Sequence, residues 1–358
     1  MTDEASIRVG LVGFGLGGAV FHAPLISATP GLELVAIVTR DPGRTATARS
    51  RYPNARVVAD AAQLWEADDL DLVVISTHNS AHVPLGIAAL EAGLPVVMDK
   101  PLAPTSAQGQ RLVDESVARG LMLSVFQNRR WDSDFLTLRA VLDEGAIGTP
   151  TRFESRYERW RPSLTTDSWR ERPGTEEAGG LLFDLGSHLI DQAIQLFGRP
   201  TEVYAELDQR RPGAAVDDDA FVALTHSNGV RSHLWMSAVA RLHGPRFKLL
   251  GLAGGFESFG LDGQEDALAA GGDASDPAWG TEPSDRWATL ATDQGERRVE
   301  SHRGNYPAFY AGVERALRTG KNAPVDPRDS VDGLHVIEAA ARSAAEGDVV
   351  TVDRWSHD

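Results

Sequence analysis

The chain has no cysteine in its 358 residues, and its 35 basic side chains are outnumbered by 51 acidic ones. Without thiols there is no disulfide framework, thiolate zinc site, iron–sulfur cluster or cysteine nucleophile. That absence is compatible with any compartment. The formal charge of −16 argues against a general nucleic-acid or anionic-membrane binder, which carries a basic field; ordinary colloidal solubility accounts for it. No run approaches the roughly 18 apolar residues of a membrane span. Met1–Ser6 lacks the basic start and apolar stretch of an export signal, so a cytoplasmic location is expected. What remains is a globular composition, 42% hydrophobic and 24% charged. The length suits about two domains and needs no staple for stability.

The first 125 or so residues alternate short apolar runs with helix-like stretches. Ile7–Val12, Leu32–Thr39, Leu70–Ser76, Leu94–Met98 and Leu121–Phe126 suit strands buried on both faces. Residues 17–28, 44–51, 82–92 and 106–119 read as the helices between them, a grammar that predicts a parallel sheet covered by helices. Pro24 inside the first helix predicts a bend or restart there. Beyond residue 126 the pattern becomes alternating and β-rich: 151–160, 202–209, 220–225, 230–239, 246–252 and 255–260 predict a mainly antiparallel sheet. Residues 136–144 and 181–197 read as helices beside it, and 262–284 as a loop. The helical tail, 307–318 and 328–346, is placed to pack back on the first half. The expectation is an α/β protein with a dinucleotide-binding domain over 1–126 and a second α/β domain over 127–358.

The first strand runs into Gly13-x-Gly15-x-x-Gly18, with Phe14 and Leu16 between the glycines. Glycines there permit a tight turn, close approach to a pyrophosphate and close helix packing, and the following helix start offers N–H groups and a positive dipole end. The second strand ends Val38-Thr39-Arg40-Asp41. An acidic residue at this edge would accept the ribose hydroxyl of NAD. Thr39 and Arg40, with Arg44 behind, instead supply a hydroxyl and guanidinium forks for a 2′-phosphate. Asp41-Pro42 also reads as the cap and first residue of a helix. NADP is the expected cofactor, with NAD the alternative.

Two further segments carry chemistry. Asp99-Lys100-Pro101 puts a lysine at the carboxyl end of a predicted strand, where doubly wound sheets bind ligands. In the helix of residues 181–197, Asp184, His188, Asp191 and Gln195 recur at steps of four, three and four, hence on one face. Such a stripe must be paired or must line a cavity. It suits a divalent metal, a hydrogen-bonded structural helix, or a proton-transfer site for alcohol oxidation.

Taken together, Gly13–Gly18, Ser76-Thr77-His78-Asn79-x-x-His82, Asp99-Lys100-Pro101 and Asp184-x-x-x-His188 resemble the Gfo/Idh/MocA family of NAD(P)-dependent oxidoreductases. Longer strings, Phe14 to Pro24, Asn128 to Asp132, Trp169-Arg170-Glu171 and Leu261 to Leu268, resemble its NADP-dependent scyllo-inositol dehydrogenase branch. The resemblance implies an N-terminal Rossmann sheet and a C-terminal domain with a large open sheet that forms a homodimer or homotetramer. It implies no metal. It makes Lys100, Asp184 and His188 catalytic, and places Ser76, Thr77, His78, Asn79, His82, Asp99 and Lys100 at the cofactor. Asn128, Tyr157, Trp169, Arg170, Asp184 and His188 would contact a polyol or sugar substrate. Two departures stand out: the family commonly has Glu where this chain has Asp99, and Pro where it has His78.

Overall fold

The structure is a computed structural model that describes residues 5–164, 171, 173–174, 176–352 and 355. Its first half builds a parallel sheet from β1 (Ile7–Val12), β2 (Leu32–Val38), β3 (Arg56–Val58), β4 (Leu72–Ile75), β5 (Val96–Met98) and β6 (Leu123–Val125). Helices α1 (Ala23–Ala28), α2 (Pro42–Arg51), α3 (Ala62–Trp65), α4 (His82–Glu91) and α5 (Ser106–Arg119) connect them. β4, β5 and β6 are buried at every position; β4 and β5 therefore read as unbroken apolar runs, while the buried Ser124 of β6 donates to the Val325 carbonyl at 3.0 Å. The strand order β3-β2-β1-β4-β5-β6 is that of a Rossmann sheet. It reverses direction between β1 and β4, opening a crevice at their carboxyl ends.

The first helix does restart at its proline. Gly17–His22 forms a π-turn, and α1 follows with Pro24 in its first turn, where the missing N–H costs nothing.

The second half comprises α6 (Ser133–Asp143), β7 (Pro150–Glu158), α7 (Ser187–Phe197), β8 (Pro200–Asp208), β9 (Asp219–His226), β10 (Arg231–Ser237), β11 (Phe247–Gly251) and β12 (Gly254–Ser258). It continues with α8 (Gln264–Ala269), β13 (Ala288–Thr292), β14 (Gly295–Val299), α9 (Pro307–Thr319), α10 (Pro327–Glu346) and β15 (Val350–Thr351). Nine strands form one sheet in the order β14-β13-β12-β11-β7-β10-β9-β8-β15, antiparallel except where β7 meets β10. Alternate residues, such as Val222 and Leu224 on β9 and Leu234 and Met236 on β10, are buried; α7 and α10 pack on the sheet. α10 also packs on α5, where Ser106 donates through both N and Oγ to Glu338 at 2.7 Å. Among the described residues no helix is long and apolar enough to cross a membrane.

The segment 262–284, expected to be a loop, contains α8. Asp262 accepts from the Gln264 N–H at 2.8 Å, and buried Gln264 bonds the Trp131 carbonyl, the Trp279 indole and the Tyr306 N–H. These partners lie far away in sequence, so the local Gly/Asp composition concealed the helix. β13 and β14 also escaped a reading by pattern. The strand GERRV is mostly exposed and is held by pairing with β13 rather than by an apolar face.

Candidate active site

A cleft of about 950 Å³ opens at the carboxyl ends of β1, β2, β4 and β5. Val12, Gly13, Phe14, Gly15, Leu16 and Gly17 form one wall, and Ser76, Thr77, His78 and Asn79 form another. The glycine turn fits a dinucleotide for steric reasons. Gly13 has φ +99°, and a Cβ there would lie 2.1 Å from the Ser76 carbonyl oxygen. A Cβ on Gly18 would lie 2.0 Å from the Gly13 carbonyl oxygen, whereas Gly15 meets nothing closer than an Arg44 nitrogen at 3.8 Å. Gly13 and Gly18 therefore close the turn, and Gly15 leaves backbone open to the cleft for a pyrophosphate.

Thr39, Arg40, Asp41 and Arg44 line one end of the cleft, joined by Asp60. The Asp41 side chain accepts from the Arg44 N–H at 2.7 Å and caps α2. Its extended backbone ahead of Pro42 is the usual geometry of an N-cap. Asp60 likewise accepts from the Ala62 N–H at 3.0 Å.

At the other end stand Asp99, Lys100, Ala178 and Asp184. Lys100 Nζ donates to the Asp184 carbonyl oxygen at 2.6 Å and to its carboxylate Oδ1 at 2.9 Å. Asp184 sits in a second π-turn, Leu182–Gly186, which runs directly into α7. A π-turn interrupts the regular hydrogen-bond ladder, and here a lysine takes the carbonyl. The start of this turn is held by Asp217, which accepts from the Leu182 N–H at 2.8 Å. Asn79 ties in the preceding residues by donating to the carbonyls of Glu177 and Ala178 at 3.0 and 3.3 Å.

His188 is buried one turn on, and its Nδ1 has no hydrogen-bond partner among the described residues. Burial, then the charges of Lys100 and Arg129, hold its pKa well below the usual histidine range; Asp184 and Asp99 offset this only in part. The imidazole is therefore neutral near pH 7, able to accept a proton. Asp99 shows the opposite balance. Burial pushes its carboxyl up, but nearby His22, with His82 and Ser76, leaves it well below the usual carboxylate range.

The expected polar stripe divides into two. Asp184 joins Lys100 at the cleft, whereas Asp191 pairs with Arg130 at 2.6 and 2.9 Å and Gln195 donates to Asp329 at 3.4 Å. Asp191 and Gln195 thus belong to a structural network around Arg130, which also donates to Asp329. His82 does not line the cleft; it is buried with its Nδ1 2.8 Å from the Pro101 carbonyl oxygen. Asn128, Tyr157 and His188 are also buried and do not line it. The Tyr157 ring packs among the guanidinium groups of Arg129, Arg159 and Arg246, 4.8 to 5.5 Å from its centroid. Trp169 and Arg170 lie outside the described residues. Asp60 and Ala178 were not anticipated at the site; only the strand order and helix packing bring them there, and no local motif marks them.

Comparison with known proteins accords with this geometry. Residues 7–127 match the oxidoreductase family with an NAD-binding Rossmann fold, and residues 135–257 the GFO/IDH/MocA C-terminal domain. The chain is 40% identical to the uncharacterized oxidoreductase YdgJ of Escherichia coli over 96% of this chain and 97% of that protein. It is 34% identical to the scyllo-inositol 2-dehydrogenase (NADP(+)) IolW of Bacillus subtilis, over 95% of this chain and 94% of that one. The solved structure of the putative oxidoreductase yvaA from Bacillus subtilis superposes with a TM-score of 0.93 at 32% identity, covering 99% of this chain and all of that one (100%). The chain belongs to the Gfo/Idh/MocA family of NAD(P)-dependent oxidoreductases acting on CH–OH groups.

Proposed function

We propose that this protein is an NADP(H)-dependent dehydrogenase of a cyclic polyol, an inositol such as scyllo-inositol. The observation that carries the reading is the Lys100–Asp184 contact at one end of the cleft, with a neutral His188 one turn away. Gly13–Gly18, Ser76, Thr77, Asn79 and Asp99 would hold the dinucleotide, which supplies a hydride acceptor when bound. Lys100 Nζ donates a hydrogen bond to the oxygen on the reacting carbon. His188 accepts the hydroxyl proton of that carbon, and returns it when a ketone is reduced. Asp184 orients Lys100 and accepts from a neighbouring substrate hydroxyl. The substrate is uncharged, which suits an end of the cleft where Lys100 already pairs with Asp184.

Thr39, Arg40 and Arg44 favour NADP over NAD. A free carboxylate about 4 Å from a 2′-phosphate would cost on the order of 4 kcal/mol per unit charge at an effective dielectric near 20. Asp41 and Asp60 are both occupied with backbone N–H groups of their own helices. The relative named as NADP-dependent supports the same choice. The test is a panel of inositols, aldoses and anhydrosugars assayed with NADP and NAD by nicotinamide absorbance. Turnover of an inositol with NADP is the expected result. Preference for NAD refutes the cofactor assignment. Tight NADP binding with no turnover of any polyol or sugar marks a non-catalytic binder instead. We also propose that the open face of the nine-stranded sheet, with Phe221, His233 and Trp235 clustered on it, joins subunits; a monomeric mass in solution would refute this.

A further inference from the structure

Behind the lysine runs a buried polar chain that the proposed chemistry leaves unexplained. Asp99 Oδ1 accepts from the Lys100 backbone N–H at 2.8 Å, and Asp99 Oδ2 accepts from Ser76 Oγ at 2.8 Å. His22 Nε2 stands 3.3 Å from the same Oδ2. Its Nδ1 lies 2.6 Å from the hydroxyl of Tyr310, on α9. Both His22 and Tyr310 are fully buried. Each aromatic is locked by further rings: His22 packs 4.4 Å from Phe126, and Tyr310 packs 5.3 Å from Phe309.

The donors can be ordered along this chain. An ionised Asp99 offers only acceptors, so the imidazole hydrogen sits on Nε2, beside the carboxylate at 3.3 Å but without a well-aligned hydrogen bond to it. Nδ1 is then an acceptor, and the Tyr310 hydroxyl donates to it. His22 closes the π-turn Gly17–His22, and such turns are often found at functional sites. Gly17 at the other end of the same turn lies so close that a Cβ there would stand 2.7 Å from Asp99 Oδ2. One turn thus shapes both the cofactor wall and the support of Asp99.

We propose that His22 and Tyr310 are positioning residues that fix the Asp99 carboxylate, and through it the Lys100 backbone, so that Lys100 Nζ meets Asp184 and the substrate. This rests on the assignment of Lys100 given above. The chain runs from α9 through the first helix to the end of β5, so a residue in the C-terminal part of the sequence sets the lysine's aim. Neither residue lines the cleft.

The sequence holds just three lysines, Lys100, Lys248 and Lys321, which makes the test direct. Lysine side chains labelled with ¹³C and ¹⁵N give three cross-peaks, with Lys100 assigned from Lys100→Arg. The full-length His22→Leu and Tyr310→Phe variants are expected to move the Lys100 peak and leave the other two in place. Their kcat on an accepted polyol is expected to fall by about tenfold to a hundredfold for His22→Leu, the weight of a lost polar contact to a carboxylate. His22→Gln, whose amide can still donate to Asp99, is expected to restore most of the rate and the peak position. A Lys100 peak unmoved in folded His22→Leu, or a full rate in that variant, overturns the proposal. Should His22→Leu fail to fold, Tyr310→Phe decides, since it removes one hydroxyl from intact packing and an unmoved Lys100 peak there overturns the proposal equally. Absence of turnover by the wild type on every polyol and sugar refutes the role of Lys100 in catalysis, while the peaks still report on its positioning.

Discussion

Asp217 offers a stability measurement whose sign follows from the structure. Its carboxylate caps the π-turn ahead of α7 by accepting from the Leu182 N–H at 2.8 Å, and its own carbonyl accepts from the Leu181 N–H at 3.0 Å. It also packs against Gly180, whose φ of +93° puts a would-be Cβ 2.0 Å from Asp217 Oδ1. Burial raises the Asp217 pKa from 3.8 to about 6, more than the backbone N–H groups lower it, and the neighbouring Asp218 adds to the rise. A carboxyl whose folded pKa is raised contributes stability that is fully present below the unfolded pKa. That stability is lost as pH rises through the folded value. A difference of about 2 pKa units corresponds to about 3 kcal/mol in full. Between about pH 4 and pH 8 the accessible part is about 2 kcal/mol, less what solvent recovers at a half-buried side chain. Asp217→Asn keeps the carbonyl acceptor for Leu182 and removes the charge. The variant is expected to match wild type near pH 4 and to exceed it by about 1–2 kcal/mol near pH 8, a few degrees in Tm for a chain of this size. Paired thermal and urea melts at the two pH values measure this. A gain equal at both, or a loss confined to high pH, would refute the argument that a buried charge is what the site carries.

Other expected outcomes address the chemistry. Lys100→Ala and His188→Ala should each lower kcat by about two to four powers of ten, and near-normal rates in both would end the proton-transfer scheme. With burial and Lys100 holding His188 below 6.5, activity should persist as pH falls past that value; a pH–rate profile whose acid limb lies above it contradicts a neutral base. Removing both guanidinium groups, by Arg40→Ala with Arg44→Ala, should raise the Kd for NADP about tenfold to a hundredfold and leave that for NAD nearly unchanged in a fluorescence titration. Gly18→Ala should weaken either dinucleotide at least about tenfold, because its Cβ would meet the Gly13 carbonyl at 2.0 Å. An unchanged Kd would show that the turn can yield.

Most of the architecture was legible in the residues alone where the physics is local. Buried parallel strands read as apolar runs, Pro24 marked the restarted helix, and Gly13–Gly18 marked a dinucleotide turn. Asp41-Pro42 read as a cap, and the structure has it capping α2. Legibility failed where partners are distant. α8 exists because Gln264 finds Trp131, Trp279 and Tyr306. The stripe on α7 looked uniform by spacing, but the π-turn Leu182–Gly186 and the arginine at position 130 divide it between the cleft and a structural network.

By itself, then, the sequence determined which local conformations were available and which groups could do chemistry without a thiol: a lysine, a histidine and carboxylates beside a glycine turn. Periodicity, caps and glycine sterics act over a few residues and are written in consecutive positions. Only the tertiary structure decided which of those groups meet. Lys100 follows β5 and Asp184 lies in the π-turn ahead of α7, 84 positions apart; His22 and Tyr310 are 288 apart. Contacts at such separations depend on strand order, helix packing and the widened π-turns, which no short window of sequence records. The charge state of His188 belongs to the same class, because burial and two cations drawn from elsewhere in the chain set it.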